Sequence, residues 1–521
     1  MNCSRRATVI GYTSLLLGFM GAACVLVPAS HAATLEFVTQ LVGSNEVPPT
    51  GSPGTGAAVV VLNPAANSMS VGVNFSGLSS GTTASHIHCC LSFPFQTNQN
   101  VMVATTTPTF PGFPLGVTAG NYAMTFNLLN PASYNPAFIT STFNPSGTVA
   151  GADAALVTGI AAGETYLNIH TNNFPGGEIR GFLVPVSGEV VTGAQQGAFQ
   201  IMTEFLTLMT DPFVYGRTGF GGADLASSYP SVYKGRPLAP FQQRWTVWGG
   251  GYGATSRTTG DPIVTGSHDL SASTGGGAAG LDYQLSPYTV VGFALGGGGT
   301  NWSIDQGLGS GHSDVFQAGV YGITNFGPAY LAASFGYAEH WMQTNHIGFG
   351  FETLTTDFNA HSYGGRAEAG YHLGWPVVAV TPYAAVQAQA FHIPSINETD
   401  ATADGLGFAF TGRTPTDTRT ELGARFERPV ALNSITLLSL RAKVAWAHDW
   451  VSDPVFTSAF QIFPTASFLV SGATPPTNLA LVSAGGELRF SNRWSLIAKF
   501  DGEFADHAHT YGGTGTVRYT W

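Results

Sequence analysis

Three histidines are the residues best placed by type and spacing to do chemistry. In "ASHIHCC", His86 and His88 flank Ile87, so on a strand both imidazoles point to the same side. His170, in "TYLNIHTNNFPGG", lies in a second strand-like run just before a glycine-containing loop. Three imidazoles meeting on one β domain would form a metal site, His86, His88 and His170 holding Zn or Cu. The same residues also fit a plainer role, in which the imidazoles hydrogen-bond loop backbone and hold the rim of the domain together.

Two further groups stand beside them. Cys89 and Cys90 are adjacent, and neighbours on a strand point to opposite faces. They have three options: a vicinal disulfide, a bridge between chains, or thiolates added to the histidine cluster. Glu178 and Arg180, in "GGEIRG", are two residues apart and share a strand face, which predicts an ion pair. No nucleophile with an adjacent general base, phosphate-cradling glycine loop or paired-carboxylate motif stands out. The expectation is therefore a non-enzymatic protein with no cofactor other than Zn or Cu at the histidines.

The elements that must position these groups follow from composition and period. The chain has 521 residues, of which only 9% are charged and 67 are glycine. Ordinary soluble domains carry about 25% charged residues, so this mixture fits a β-rich chain with much surface turned away from water. A net charge of −11 excludes nucleic acid as a partner, since phosphate binding needs clustered Lys and Arg. Arg5 and Arg6, the apolar run "ATVIGYTSLLLGFMGAACVLV" and the small residues of "PASHA" read as an export signal over 1–32, cut after Ala32. Cleavage would remove Cys3 and Cys24. No other apolar run reaches the roughly 20 residues of a membrane helix.

Residues 33–190 alternate short apolar runs with turn clusters, the pattern of a β-sandwich. In 191–243 the period changes. Phe199, Met202, Phe205, Leu206, Met209 and Phe213 recur at three- and four-residue steps, predicting an amphipathic helix capped by Thr192 and closed near Pro212. A Gly- and Pro-rich linker follows.

Two-residue alternation then fills 244–521. In "SLIAKFDGEF", Leu496, Ala498, Phe500 and Phe504 oppose Ile497, Lys499, Asp501 and Glu503. "YGGRAEAGYH", "TELGARFER" and "RAKVAWA" read the same way. About twelve such segments, each long enough for a tilted strand to cross a bilayer, predict an outer-membrane β-barrel with a greasy outside and a polar lumen. Trp245, Trp248, Tyr337, Trp341, Trp450 and Trp494 are expected in its interfacial girdles. "GTVRYTW" predicts a closing strand that runs to Trp521.

These segments resemble two families. From about 193 to 521, "TGAQQGAFQ", "MTDPF", "RWTVWGGGYG", "AWAHDW" and the aromatic end "GTVRYTW" are similar to the β-domain of autotransporters, the type V secretion proteins. The resemblance implies a monomeric twelve-stranded barrel with a helix, Gln195–Phe213, in its lumen. It also implies contact with outer-membrane lipid and recognition of the last strand by the barrel-assembly machinery. From about 34 to 186, "LVGSNEVPP", "SHIH" and "YLNIHTNNFPGGEIRGFL" resemble the chordin-type CHRD domain, which implies an immunoglobulin-like β-sandwich and no particular reaction. The expected function is an outer-membrane autotransporter that displays this domain at the cell surface, where it binds an extracellular ligand or adheres. The alternatives are a pore or structural barrel with a periplasmic module, and a surface metal-binding module resembling copper–zinc superoxide dismutase. That enzyme needs more ligands than the three histidines this zone supplies.

Overall fold

The computed structural model describes residues 34–186, 188–210, 244–261, 265–347, 353–375, 378–399, 407–433, 436–490 and 493–521. The expected export signal, and the part of the expected helix and linker from 211 to 243 with Pro212 and Phe213, lie outside these residues.

The N-terminal domain has eight strands: β1 Leu35–Val42, β2 Thr55–Asn63, β3 Ser68–Ser76, β4 Thr82–Cys89, β5 Gly120–Asn127, β6 Thr165–Thr171, β7 Ile179–Phe182 and β8 Val184–Val186. Their order is β4-β6-β7-β1-β2-β3-β5, with β8 also on β1. The two halves of this path join at β1, through Val42 opposite Arg180 of β7 and through Glu36 to Val38 opposite Val186 to Val184 of β8. The fold is β-rich as expected: its strands lie on one hydrogen-bonded path, and Ile87 and Leu167 of one half share a core with Val60 and Val71 of the other. Two helices, α1 Pro136–Ile139 and α2 Val149–Ala161, were not expected. The side chain of Thr148 caps α2 by accepting from the Gly151 amide at 3.1 Å. Leu156 and Ile160 of α2 complete a core with Val60, Val71, Ile87 and Leu167.

Helix α3 spans Gly193–Thr210 and starts directly from a one-turn 3₁₀ segment, Glu189–Thr192. Thr192 is therefore not the isolated cap the sequence suggested. Its hydroxyl donates to the Glu189 carbonyl at 2.7 Å.

The barrel is closed and twelve-stranded. Its strands are β9 Trp245–Thr258, β10 Leu270–Ser286, β11 Thr289–Ile304, β12 Gly309–Phe326, β13 Ala329–Ile347, β14 Thr353–Tyr371, β15 Ala379–His392, β18 Thr416–Ala431, β19 Leu437–Val451, β22 Asn478–Arg489, β23 Trp494–Phe504 and β24 Ala508–Thr520. The seam is β24 on β9, where Trp521 and Trp245 exchange backbone hydrogen bonds of 3.1 and 3.4 Å. Two long connections, 393–415 and 452–477, supply a second small sheet at one mouth: β16 Ile396–Asn397, β17 Phe408–Phe410, β20 Val455–Phe460 and β21 Phe463–Ser471.

The strand faces divide as the alternation predicted. Val247, Phe293, Leu295, Val320, Phe335, Leu422, Val444, Leu496, Phe500 and Val517 are exposed on the outside. Inward-pointing charges pair across strands: Arg366 with Glu421 at 2.7 Å, Arg425 with Glu368 at 2.7 Å, and Arg419 with Asp449 at 2.8 Å. One girdle residue is corrected. Trp245 faces out, so Trp248, three residues on, faces in; it is 2% exposed and donates to the Tyr321 hydroxyl at 2.8 Å.

Helix α3 fills the lumen, as expected. Met202, Phe205, Leu206 and Met209 pack on Trp248, Tyr252, Ala294 and Val315 of the wall. Gln317 donates to the Ile201 carbonyl at 3.2 Å, and Gln387 and Gln389 donate to Thr203 at 2.8 and 2.9 Å. The wall approaches closely where it carries glycine. A Cβ at Gly364 would lie 2.8 Å from Met202 and 2.9 Å from Leu206.

Candidate functional site

Cross-strand pairing sets the histidine cluster. On β4 and β6, His86 lies opposite Asn168, His88 opposite Tyr166 and Ala84 opposite His170. Directly opposed residues point the same way, so all three histidines share one face with Asn168 and Tyr166. Ile87 and Leu167 take the other face, in the core. One ring nitrogen from each histidine lies within 4.8 Å of the others. The structure thus brings His86, His88 and His170 together.

Each ring is aimed by a loop carbonyl. His86 Nε2 bonds to Pro108 O at 2.7 Å, His88 Nδ1 to Val101 O at 2.8 Å, and His170 Nδ1 to Pro175 O at 2.8 Å. Carbonyl oxygens only accept, so these nitrogens carry the protons and the other nitrogen of each ring keeps its lone pair. His86 Nδ1 and His170 Nε2 are buried with no hydrogen-bond partner among the described residues. His88 Nε2 lies 3.1 Å from Asn168 Oδ1, and His88 stacks on Tyr166 with centroids 4.6 Å apart. Burial pushes His86 down to about 4 and His88 down to about 3, and lowers His170 as well, so the rings are neutral near pH 7.

The cysteines take the first of their three options. Cys89 and Cys90 are bonded to each other and sit in the core beside α2. A Cβ at Gly159 would lie 2.5 Å from the Cys89 sulfur and 3.0 Å from that of Cys90. Bridged and turned to the core, they offer no thiolate to the histidines.

The expected Glu178–Arg180 pair does not form. The Glu178 carboxylate instead accepts from the Ser52 hydroxyl at 2.5 Å, the Ser79 amide at 2.6 Å and the Thr171 hydroxyl at 2.5 Å. Burial alone would raise its pKa. The donors Ser52, Thr171 and Ser79 outweigh burial and hold it below the usual carboxylate value. Arg180 is fully buried, with its guanidinium 4.1 Å from the centre of the Tyr166 ring, and it donates to Asn100 Oδ1 at 3.0 Å. Spacing placed the two residues on one face, but the loops supplied closer partners for each.

A second functional surface was not anticipated. Strand β2, "TGAAVVVLN", is buried on both faces. Ala58, Val60 and Leu62 enter the domain's own core. Ala57, Val59 and Val61 belong to a different cluster, with Val190, Phe391, Phe408, Phe410, Phe456 and Val470 around the barrel mouth. The Thr34 hydroxyl donates to the Leu469 carbonyl at 2.6 Å. The exit of the domain is pinned as well: Glu189 bonds the backbone and ring nitrogens of His268, both at 2.8 Å, and Trp302 donates to Val190 O at 2.8 Å. An unbroken apolar run that breaks the alternation was the available signal for a strand covered on both sides.

The model of the autotransporter beta-domain family matches residues 247–501, and that of the CHRD domain matches residues 37–183. The chain joins a CHRD domain to an autotransporter β-domain. It is 24% identical over 265 residues to an extracellular serine protease of Serratia marcescens, a match covering 50% of this chain and 24% of that protein. Among solved structures, it is similar to the translocator domain of the autotransporter NalP from Neisseria meningitidis. That match has 13% identity and a TM-score of 0.46, and covers 64% of this chain and 99% of the other. The β-domain of the Bordetella autotransporter BrkA matches at 16% identity and a TM-score of 0.42, over 53% of this chain and all of that one. A β-domain of this family fits an outer-membrane translocator.

Proposed function

We propose that the barrel carries the CHRD domain across the outer membrane and then keeps it at the cell surface as an anchored binding or adhesion module. One observation carries this reading: the domain rests on the barrel mouth bearing the long connections 393–415 and 452–477, and α3 leads from it through the lumen. In outer-membrane barrels the long connections face outward and the short turns face the periplasm. Here the short turns, such as 287–288 and 327–328, lie at the opposite mouth, together with the seam at Trp245 and Trp521. The apolar docking surface favours retention over release, since freeing the domain would expose Val59, Val61 and several phenylalanines to water.

The serine protease relative lends no activity to this reading, because the chain spans about a quarter of that protein. Cell fractionation with protease shaving tests the proposal. The N-terminal domain should stay in the outer-membrane fraction and be digested on intact cells. Free domain in the medium would contradict anchoring. Digestion only after the outer membrane is permeabilised would contradict display and favour a periplasmic module.

A further inference from the structure

We propose that His86, His88 and His170, joined by the side-chain oxygen of Asn168, bind one divalent metal ion of the zinc or copper class. Three observations carry this. First, the ring nitrogens not spent on Pro108, Val101 and Pro175 are lone-pair bearers, and those of His86 and His170 are buried without partners. A buried acceptor facing no donor is costly unless something occupies the space it faces.

Second, His88 Nε2 and Asn168 Oδ1 lie 3.1 Å apart, both as acceptors. His88 has its proton on Nδ1, towards Val101, and the Asn168 amide N–H group is turned to the Glu46 carboxylate. A cation between the two acceptors turns repulsion into ligation. Two ligands on a tetrahedral metal at about 2.05 Å are about 3.4 Å apart, close to this separation. The histidine nitrogens, within 4.8 Å of one another, would draw in by up to about 1.4 Å.

Third, every imidazole already has the carbonyl partner on its far nitrogen that metal-binding histidines use to fix tautomer and orientation. Three imidazoles and an amide oxygen suit Zn²⁺ or Cu²⁺. The absence of thiolate, with Cys89 and Cys90 bridged to each other, disfavours Cu(I).

The test uses the full chain in detergent micelles, stripped with chelator and dialysed against Zn²⁺ or Cu²⁺ alone. Bound metal is measured by mass spectrometry and affinity by competition with a chromophoric chelator. The wild type should hold one equivalent. His170→Gln, a change at the half-buried rim of the cluster, should weaken binding at least about tenfold with the circular dichroism spectrum unchanged. His86→Gln/His88→Gln should remove the equivalent. If the double variant loses its fold, His170→Gln decides alone. The proposal is overturned if the folded wild type holds less than a tenth of an equivalent of either metal, or if His170→Gln binds as tightly as the wild type.

Discussion

At the scale of single residues, Glu178 is the tie that holds the histidine-bearing domain together. Its carboxylate joins the β1–β2 loop, the β3–β4 loop and the end of β6 through Ser52, Ser79 and Thr171. Glu178→Ala strands several buried donors, and a loss of about 2–4 kcal/mol is expected. The pH dependence follows from its lowered pKa. The unfolded carboxyl titrates near its ordinary value of 4.5 and the folded one lower, so this stabilisation is complete above about 4.5 and fades as pH falls through the folded value. Urea titrations followed by circular dichroism should show wild type and Glu178→Gln converging in acid and diverging towards neutral pH. A constant gap across that range would show that the carboxylate's charge is not what stabilises the domain. Glu36, on the docked side of β1 with Val38, titrates in the other sense. Burial pushes it up to about 8, so it is protonated in the folded domain at neutral pH. Legibility was uneven at this scale. Parity within β4 put His86 and His88 together and set Cys89 apart. Thr171 and Tyr166 lie on the nearby strand β6, but the other partners of Glu178 and Arg180, Ser52, Ser79, Gln99 and Asn100, come from loops 80 to 126 residues away in the chain, beyond the reach of any local pattern.

At the scale of elements, alternation served well where one face of a strand meets lipid and the other the lumen. Leu496, Phe500 and Val517 point outward, while Lys499 and Arg518 point inward, as a two-residue period requires. It misled at Trp248, where an aromatic near a strand end was read as an interfacial anchor although its parity put it inside. Helix α2 escaped notice because "VAGADAALVTGIA" is apolar nearly all round, with no polar face to reveal a 3.6-residue period. The lumenal helix announced itself through its stripe, and its burial is testable. A cysteine at Met209, which is fully buried, should resist a bulky maleimide in the folded protein and react after denaturation. Rapid labelling of the folded form would place α3 outside the barrel. At the seam, Val517 lies opposite Gly249 and Tyr519 opposite Val247. Replacing Trp521 with Asp should lower the yield of heat-modifiable barrel, since it puts a charge where the outer face meets lipid at the pairing of first and last strands. An undiminished yield would show that this end of the seam is not needed for assembly.

At the scale of the whole molecule, the docked domain is the central feature. Phe408 is 1% exposed and packs against Phe410, Phe460 and Phe468 beneath the domain. Phe408→Ala should cost about 3–5 kcal/mol in the packing of the mouth and raise protease sensitivity around 188–192, where the chain leaves the domain. Unchanged sensitivity would mean that the small sheet does not hold the domain. The sequence showed a β-rich module, a helix and a barrel in order. It did not show the contact between them, because the residues on both sides read locally as ordinary strand core. The most direct measurement places two cysteines, one at Leu115, exposed on the N-terminal domain, and one at Asn433, in a short turn at the opposite mouth. Intact cells are treated with a membrane-impermeant maleimide. Labelling at Leu115→Cys and protection at Asn433→Cys is the predicted result; labelling at Asn433→Cys with protection at Leu115→Cys would contradict the account.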